Sequence, residues 1–249
     1  MASLADDPAF VALHESPLQT DFTPKYGHMG TIAGAQDFIV PPTGDSNVCI
    51  IVIHEFWGLN NQIKSTAEKL HEDTGYGVVA VDLYGGKVST VASEAAKLMQ
   101  SVDEAKANQQ LHDTITEVKG SEVVGKGITR IGTLGYCFGG GYSLQTALLN
   151  PDNVDACVMY YGYPELDSSK LTTFKAPLLG IFGNKDPRIN PALVAKFKVA
   201  LDTAGKTNYE IKGYDAVHGF ANPSNPKHDP AATADAWSKT IAFYKKNLG

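Results

Sequence analysis

Three residues of this chain have the types and the order for acyl transfer: Cys137, Asp186 and His218. A thiol with an ordinary pKa of about 8.5 is mostly protonated at neutral pH, so it needs a base or a favourable field to act as a nucleophile. An imidazole within hydrogen-bond reach can take the proton. A carboxylate behind that imidazole fixes its tautomer and stabilises the imidazolium. Cys137 sits at the centre of Gly135-Tyr136-Cys137-Phe138-Gly139, between the apolar run 128–134 and a helix-like segment, 140–149. Strand, sharp turn and helix, with a small residue on each side of the nucleophile, make the pattern of a nucleophile elbow. The flanking glycines let strand and helix close up around a strained central residue. The helix starting there adds a partial positive charge that favours the thiolate.

The elements that must position these groups alternate along the chain. Val48–Ile53 is a continuous apolar run, the mark of a strand buried on both faces. Ile63, Ala67 and Leu70 recur at helical spacing up to Gly75. A strand over 77–81 follows, closed by Asp82, then a loop through Gly85-Gly86. Ala107, Leu111, Ile115 and Val118 mark a second helix. Beyond the elbow come strands over 154–161 and 177–182, a helix carrying Leu193, Phe197 and Leu201, and a short strand over 208–212. Ala234, Trp237, Ile241, Tyr244 and Leu248 form the apolar stripe of a C-terminal helix. Buried strands alternating with amphipathic helices predict an α/β fold with a mostly parallel central sheet flanked by helices. Residues 1–30, rich in proline, read as an irregular arm, with a strand near 36–40, and residues 31–249 as a single domain.

In such sheets functional groups gather at the carboxyl ends of strands. Cys137, Asp186 and His218 each follow an apolar run, in the chain order nucleophile, acid, histidine of the α/β-hydrolase fold. Asp82 also ends a strand, but that order favours Asp186. The oxyanion needs preorganised donors. The backbone N–H of Phe138 is one, and the N–H of Phe56, in the loop after Val48–Ile53, is assigned as the second. Trp57, Tyr84 and the two phenylalanines are expected to line an apolar pocket. The glycines do not match a dinucleotide fingerprint or a phosphate loop, and His54-Glu55 lacks the second histidine of a zinc-protease helix. No metal or cofactor is expected.

Composition narrows the function classes. The chain has 249 residues, 43% of them apolar, enough for a sizeable core. A net charge of −6 without a basic cluster argues against nucleic acid as a partner. No apolar run is long enough to span a bilayer. The N-terminal residues, with Asp6 and Asp7 ahead of any cation, lack the basic start of a signal peptide. The three cysteines, Cys49, Cys137 and Cys157, form no disulfide framework. Cys49 and Cys157 read as buried small hydrophobes. Free thiols suit a cytoplasmic setting. A mature secreted or periplasmic form shorn of its leader fits as well.

The chain resembles the dienelactone hydrolase (carboxymethylenebutenolidase) family over residues 30 to 248. The resemblance rests on His54-Glu55-Phe56-Trp57-Gly58-Leu59-Asn60, Val81-Asp82-Leu83-Tyr84, Gly135-Tyr136-Cys137-Phe138-Gly139-Gly140, Gly183-Asn184-Lys185-Asp186 and His218-Gly219-Phe220, in the family's order. It implies the triad Cys137, Asp186 and His218. It also implies that Glu55 holds the resting thiol and takes its proton when substrate displaces the carboxylate. One departure matters. Well-known members clamp a substrate carboxylate with two arginines, one shortly beyond the catalytic histidine. Here His218-Gly219-Phe220-Ala221-Asn222-Pro223 has none, and the chain's only arginines are Arg130 and Arg188. Arg188, near Asp186, is the candidate to face the pocket, with Lys87 and Lys185 as poorer clamps.

The expected protein is a monomeric or dimeric cysteine-dependent hydrolase of a lactone or small ester, working through a thioester. The rival readings are a non-catalytic ligand-binding module and a redox thiol on the same fold. The absence of a CxxC partner weakens the last.

Overall fold

The computed structural model describes residues 8–18 and 20–249. Asp6 and Asp7 therefore lie outside the described residues. Eight strands form one sheet: β1 (His28–Ile32), β2 (Ala35–Val40), β3 (Val48–Ile53), β4 (Gly77–Val81), β5 (Arg130–Tyr136), β6 (Ala156–Tyr160), β7 (Leu178–Gly183) and β8 (Tyr209–Tyr214). Their spatial order is β1-β2-β4-β3-β5-β6-β7-β8. β1 and β2 pair antiparallel with each other, β2 pairs antiparallel with β4, and every pairing from β4 across to β8 is parallel. The parallel strands β3, β4, β6 and β7 are buried at every residue. Helices covering both faces produce that pattern, and it is why these strands read as continuous apolar runs.

The crossovers and flanks supply α1 (Pro8–Val11), α2 (Asn61–Thr74), α3 (Ala92–Gln100), α4 (Glu104–Gly120), α5 (Phe138–Leu149), α6 (Ser168–Leu171), α7 (Pro191–Thr203) and α8 (Pro230–Leu248). Four of the longer helices start on side-chain caps. Asn60 accepts from the N–H of Ile63, Asp103 from Ala105 and Lys106, Asn190 from Leu193, and Asp229 from Ala232. The predicted stripes of α2 and α4 are buried as read.

Three elements depart from the sequence reading. The sheet begins inside the stretch read as an irregular arm, because β1 starts at His28. β1 is an edge strand, mostly exposed, so burial left no periodic signal in it. Helix α3 fills part of what read as loop. The buried face of α8 is Ala236, Thr240, Tyr244 and Leu248, with Trp237 and Ile241 on its margin and Ala234 exposed. Thr240 turns inward because its hydroxyl hydrogen-bonds the buried Tyr160 hydroxyl at 2.7 Å, which offsets its desolvation.

The strand ends facing the site are tied together. His54 accepts the N–H of Leu83 on Nε2 (3.1 Å) and donates from Nδ1 to the Glu55 carbonyl (2.7 Å), linking the loops after β3 and β4. Burial keeps this imidazole neutral. Asp37 of β2 accepts the N–H of Asp82 at 2.9 Å, and burial pushes its carboxyl up to about 7. Among the described residues, no helix is long and apolar enough to cross a membrane.

Candidate active site

Cys137 closes β5 and opens α5 with φ 54° and ψ −115°, a left-handed conformation that a non-glycine residue adopts only when its surroundings enforce it. The enforcement is visible at the flanking glycines. A Cβ on Gly135 would lie 1.9 Å from the Gly139 carbonyl oxygen, and one on Gly139 would lie 2.2 Å from the Ile53 carbonyl oxygen. Both obstacles are backbone, so neither can yield without opening the elbow. Gly139→Ala is accordingly expected to destabilise the fold by about 3–5 kcal/mol, the range reserved for severe core disruption. Urea unfolding measures it, and a loss under about 1 kcal/mol would mean the elbow is more pliable than this contact allows.

Around the sulfur the three distant residues converge. His218 Nε2 lies 3.1 Å from Cys137 Sγ, and His218 Nδ1 lies 2.5 Å from Asp186 Oδ2. The other Asp186 oxygen accepts the backbone N–H groups of Arg188 (2.8 Å) and Ile189 (2.9 Å). Burial opposes the Asp186 charge, but His218 and these two N–H groups outweigh it and hold the carboxyl below its usual range. Burial alone would lower His218; the adjacent sulfur and the Asp186 carboxylate raise it well above the ordinary histidine value. Asp82, the rival acid, is occupied elsewhere: its carboxylate takes the N–H groups of Tyr84 and Gly86 and closes the turn after β4.

Neither the N–H of Phe56 nor that of Phe138 donates to an acceptor among the described residues. Phe138 is the first residue of α5, where N–H groups have no partner within the helix. Tyr84 helps to hold the Phe56 peptide, its hydroxyl donating to the Phe56 carbonyl at 3.2 Å. Its ring packs on His54 and Phe138. The two cavities beside the sulfur, each of about 10 Å³ and so no larger than one water needs, have no arginine or lysine in their walls. One is lined by Phe10, Met99, Phe138, Tyr161, Tyr163 and Ile189 next to Cys137 and His218. The other includes Trp57, Glu55 and Asn222. Arg188 thus sends its backbone to the acid, while the neighbouring Ile189 faces the cavity.

Glu55 departs most from what the family resemblance implies. Its carboxylate accepts the Tyr161 hydroxyl at 3.0 Å and the Asn222 side-chain amide at 2.5 Å, not the thiol. Burial raises its pKa, and these two donors pull against that. Both partners escaped sequence reading, because Tyr161 follows β6 and Asn222 lies in a polar turn with no motif around it. Tyr161, like Cys137, carries a positive φ, 36°, in the crowded strand end next to the elbow.

The arm holds the other surprise. Phe10, on α1, is 1% exposed and stands edge-on to both Phe56 and His218. His14 stacks on Phe56 with ring centroids 4.2 Å apart, and its Nε2 lies 3.6 Å from Cys137 Sγ. Burial and the charge of His218 lower this imidazole to about 3, so it is neutral. The one signal in the sequence was an apolar cluster, Phe10-Val11-Ala12-Leu13, just before a histidine.

The parallel sheet and the strand-turn-helix elbow at its carboxyl edge define an α/β-hydrolase fold. The chain belongs to the dienelactone hydrolase family, whose model matches residues 36–248. It is 30% identical over 207 residues to Protein usf of Aquifex pyrophilus, covering 80% of this chain and 88% of that protein. It is 28% identical over 207 residues to a "Putative carboxymethylenebutenolidase" of Aquifex aeolicus, with the same coverage. The crystal structure of a "Putative Dienelactone Hydrolase" from Klebsiella pneumoniae superposes with a TM-score of 0.78 at 22% identity, covering 89% of this chain and 100% of that one.

Proposed function

We propose that this member of the family is a cysteine hydrolase of lactones or small esters. The observation that carries the reading is the Cys137–His218–Asp186 relay, with contacts of 3.1 and 2.5 Å. In it, His218 accepts the thiol proton and the sulfur attacks the substrate carbonyl. The N–H groups of Phe56 and Phe138 stabilise the resulting oxyanion. Collapse breaks the acyl–oxygen bond, His218 returns its proton to the departing alkoxide, and a thioester remains on Cys137. Water, deprotonated by His218, then attacks the thioester. The acid leaves and the sulfur recovers its proton. A thiolate is a good leaving group, so the tetrahedral intermediate goes forward only when the alcohol leaves about as readily. Enol esters and lactones meet that condition, and amides do not.

The cavity walls favour an acyl part that is apolar and carries no second carboxylate, since no cation lines them. Phe10 and His14 fill the ground in front of the sulfur, so the arm must swing aside to admit an ester. Glu55 acts in this reading through Tyr161 and Asn222, bracing the loop that carries His218.

Rapid quenching of the protein with a p-nitrophenyl ester should leave an acyl group on Cys137 that hydroxylamine removes, read by peptide mass spectrometry. Turnover with no acyl adduct on Cys137 at any quench time, or an adduct on another residue, would contradict the thioester route.

A further inference from the structure

The sulfur at the elbow faces two imidazole nitrogens. His14 Nε2 is 3.6 Å away and His218 Nε2 is 3.1 Å away, and the three atoms all lie within 4.8 Å of one another. The triad uses one of these imidazoles. The other belongs to the arm, and no step of the hydrolysis needs it.

The tautomers of both rings are fixed from behind. His14 Nδ1 sits 3.0 Å from the Phe10 carbonyl, which can only accept, so Nδ1 carries the proton and Nε2 presents a lone pair to the sulfur. The Asp186 carboxylate likewise holds the Nδ1 proton of His218 and leaves its Nε2 facing the sulfur. An imidazole whose far nitrogen donates to a carbonyl or a carboxylate is the usual form of a metal-ligating histidine. One S–H proton cannot satisfy two lone pairs, so one nitrogen always faces the sulfur without a shared hydrogen.

We propose that His14, Cys137 and His218 form a binding site for a divalent transition metal ion, with zinc as its best match, that closes the arm over the nucleophile. A tetrahedral zinc with bonds of about 2.3 Å to sulfur and 2.0–2.1 Å to nitrogen sets sulfur and nitrogen roughly 3.5 Å apart. The two sulfur–nitrogen separations fall on either side of that value, while the two nitrogens, within 4.8 Å of each other, must draw in to the roughly 3.4 Å that such a zinc sets between its nitrogen ligands. Two imidazoles and a thiolate suit zinc, whereas calcium and magnesium require oxygen donors. The fourth position falls to water or a small anion in the cavity that Glu55 and Asn222 help to line.

Binding is redox-neutral. Zinc forms one bond to sulfur and two to nitrogen, and the single proton shared by Cys137 and His218 leaves to solvent. The thiolate is then a ligand rather than a nucleophile. His14, tied to the metal, cannot move away from Phe56, so the segment 8–14 is held in its closed position. Zinc thus acts as a latch on the arm as well as a block on the sulfur. The proposal does not require that the protein turn over an ester, and its test does not use turnover.

The test is a titration of the full chain with zinc against a chromophoric chelator, repeated with C137A, H14A and H14Q. H14Q keeps much of the side chain's bulk against Phe56, and circular dichroism reports whether each variant folds. The wild-type chain is expected to take one zinc. Each variant should weaken binding by more than the roughly 10- to 100-fold that losing a second-shell partner costs. Cobalt should give a thiolate charge-transfer band that C137A abolishes and the His14 variants diminish. Absence of stoichiometric zinc binding overturns the proposal. So does equal affinity in wild type and a folded His14 variant, which would place the metal elsewhere.

Discussion

Replacing Cys137 by alanine is expected to remove p-nitrophenyl ester hydrolysis, lowering kcat by about 10⁴-fold or more. The size follows from the division of labour. The N–H groups of Phe56 and Phe138 and the walls of the cavity remain in the variant, and they alone leave a residual acceleration over water. What is lost, on the proposed mechanism, is the covalent step, and the Cβ of alanine cannot replace it. The strained backbone at residue 137 is held by the close approaches at Gly135 and Gly139, so the variant should still fold. A folded C137A protein that hydrolyses the ester within tenfold of wild type would remove the cysteine from the mechanism. Near-normal turnover would then point to water activated directly by His218. No other cysteine can substitute, because Cys49 and Cys157 are fully buried. Burial pushes the Cys157 thiol up to about 11 and the Cys49 thiol higher still.

Asp186→Asn should cost nearly as much, on the order of 10⁴ in kcat, with little change in stability. The Asn Oδ1 can keep both backbone donors, Arg188 and Ile189, that the carboxylate now accepts. Its amide nitrogen then faces His218 Nδ1 and must donate to it. That moves the imidazole proton to Nε2, where it points at the sulfur and leaves no lone pair to accept the thiol proton. The variant also removes the charge that helps to raise His218. The imidazole should therefore titrate lower than in wild type, which NMR of the ring carbons can follow. The sign at Asp186 itself is the reverse. Its carboxyl is held below the usual range, so its stabilising effect is full above the ordinary carboxylate pKa of about 3.9 and fades as pH falls through the folded value. The asparagine variant lacks that acid-side loss. A decrease in kcat of less than tenfold, with the protein folded, would mean the tautomer is set by something other than residue 186.

The sheet was legible because parallel strands buried on both faces must be continuously apolar, and Val48–Ile53 announces itself in that way. The elbow was legible because only glycine fits at 135 and 139. β1 and α3 were not, since short, partly exposed elements make too few contacts to impose a pattern. Tyr84 read as a pocket residue by its nearness to a motif. Beside the turn closed by Asp82, its ring meets Phe138 and its hydroxyl meets the Phe56 carbonyl, contacts that no motif announces. Glu55 likewise sits where the family pattern puts it in the chain, yet its carboxylate answers to Tyr161 and Asn222, which lie 106 and 167 residues away.

By itself the sequence determined the buried parallel strands, the sharp glycine-flanked turn at Cys137, and that a carboxylate and an imidazole follow later strands. These are local facts: periodicity, glycine sterics and residue type act within a few positions. Only the tertiary structure decided that the arm returns to the sulfur, that His14 gives it a second imidazole, and that the cavities beside it are small and lined by neither arginine nor lysine. Such features depend on contacts between segments more than a hundred residues apart, whose formation is governed by burial and fit rather than by any spacing along the chain.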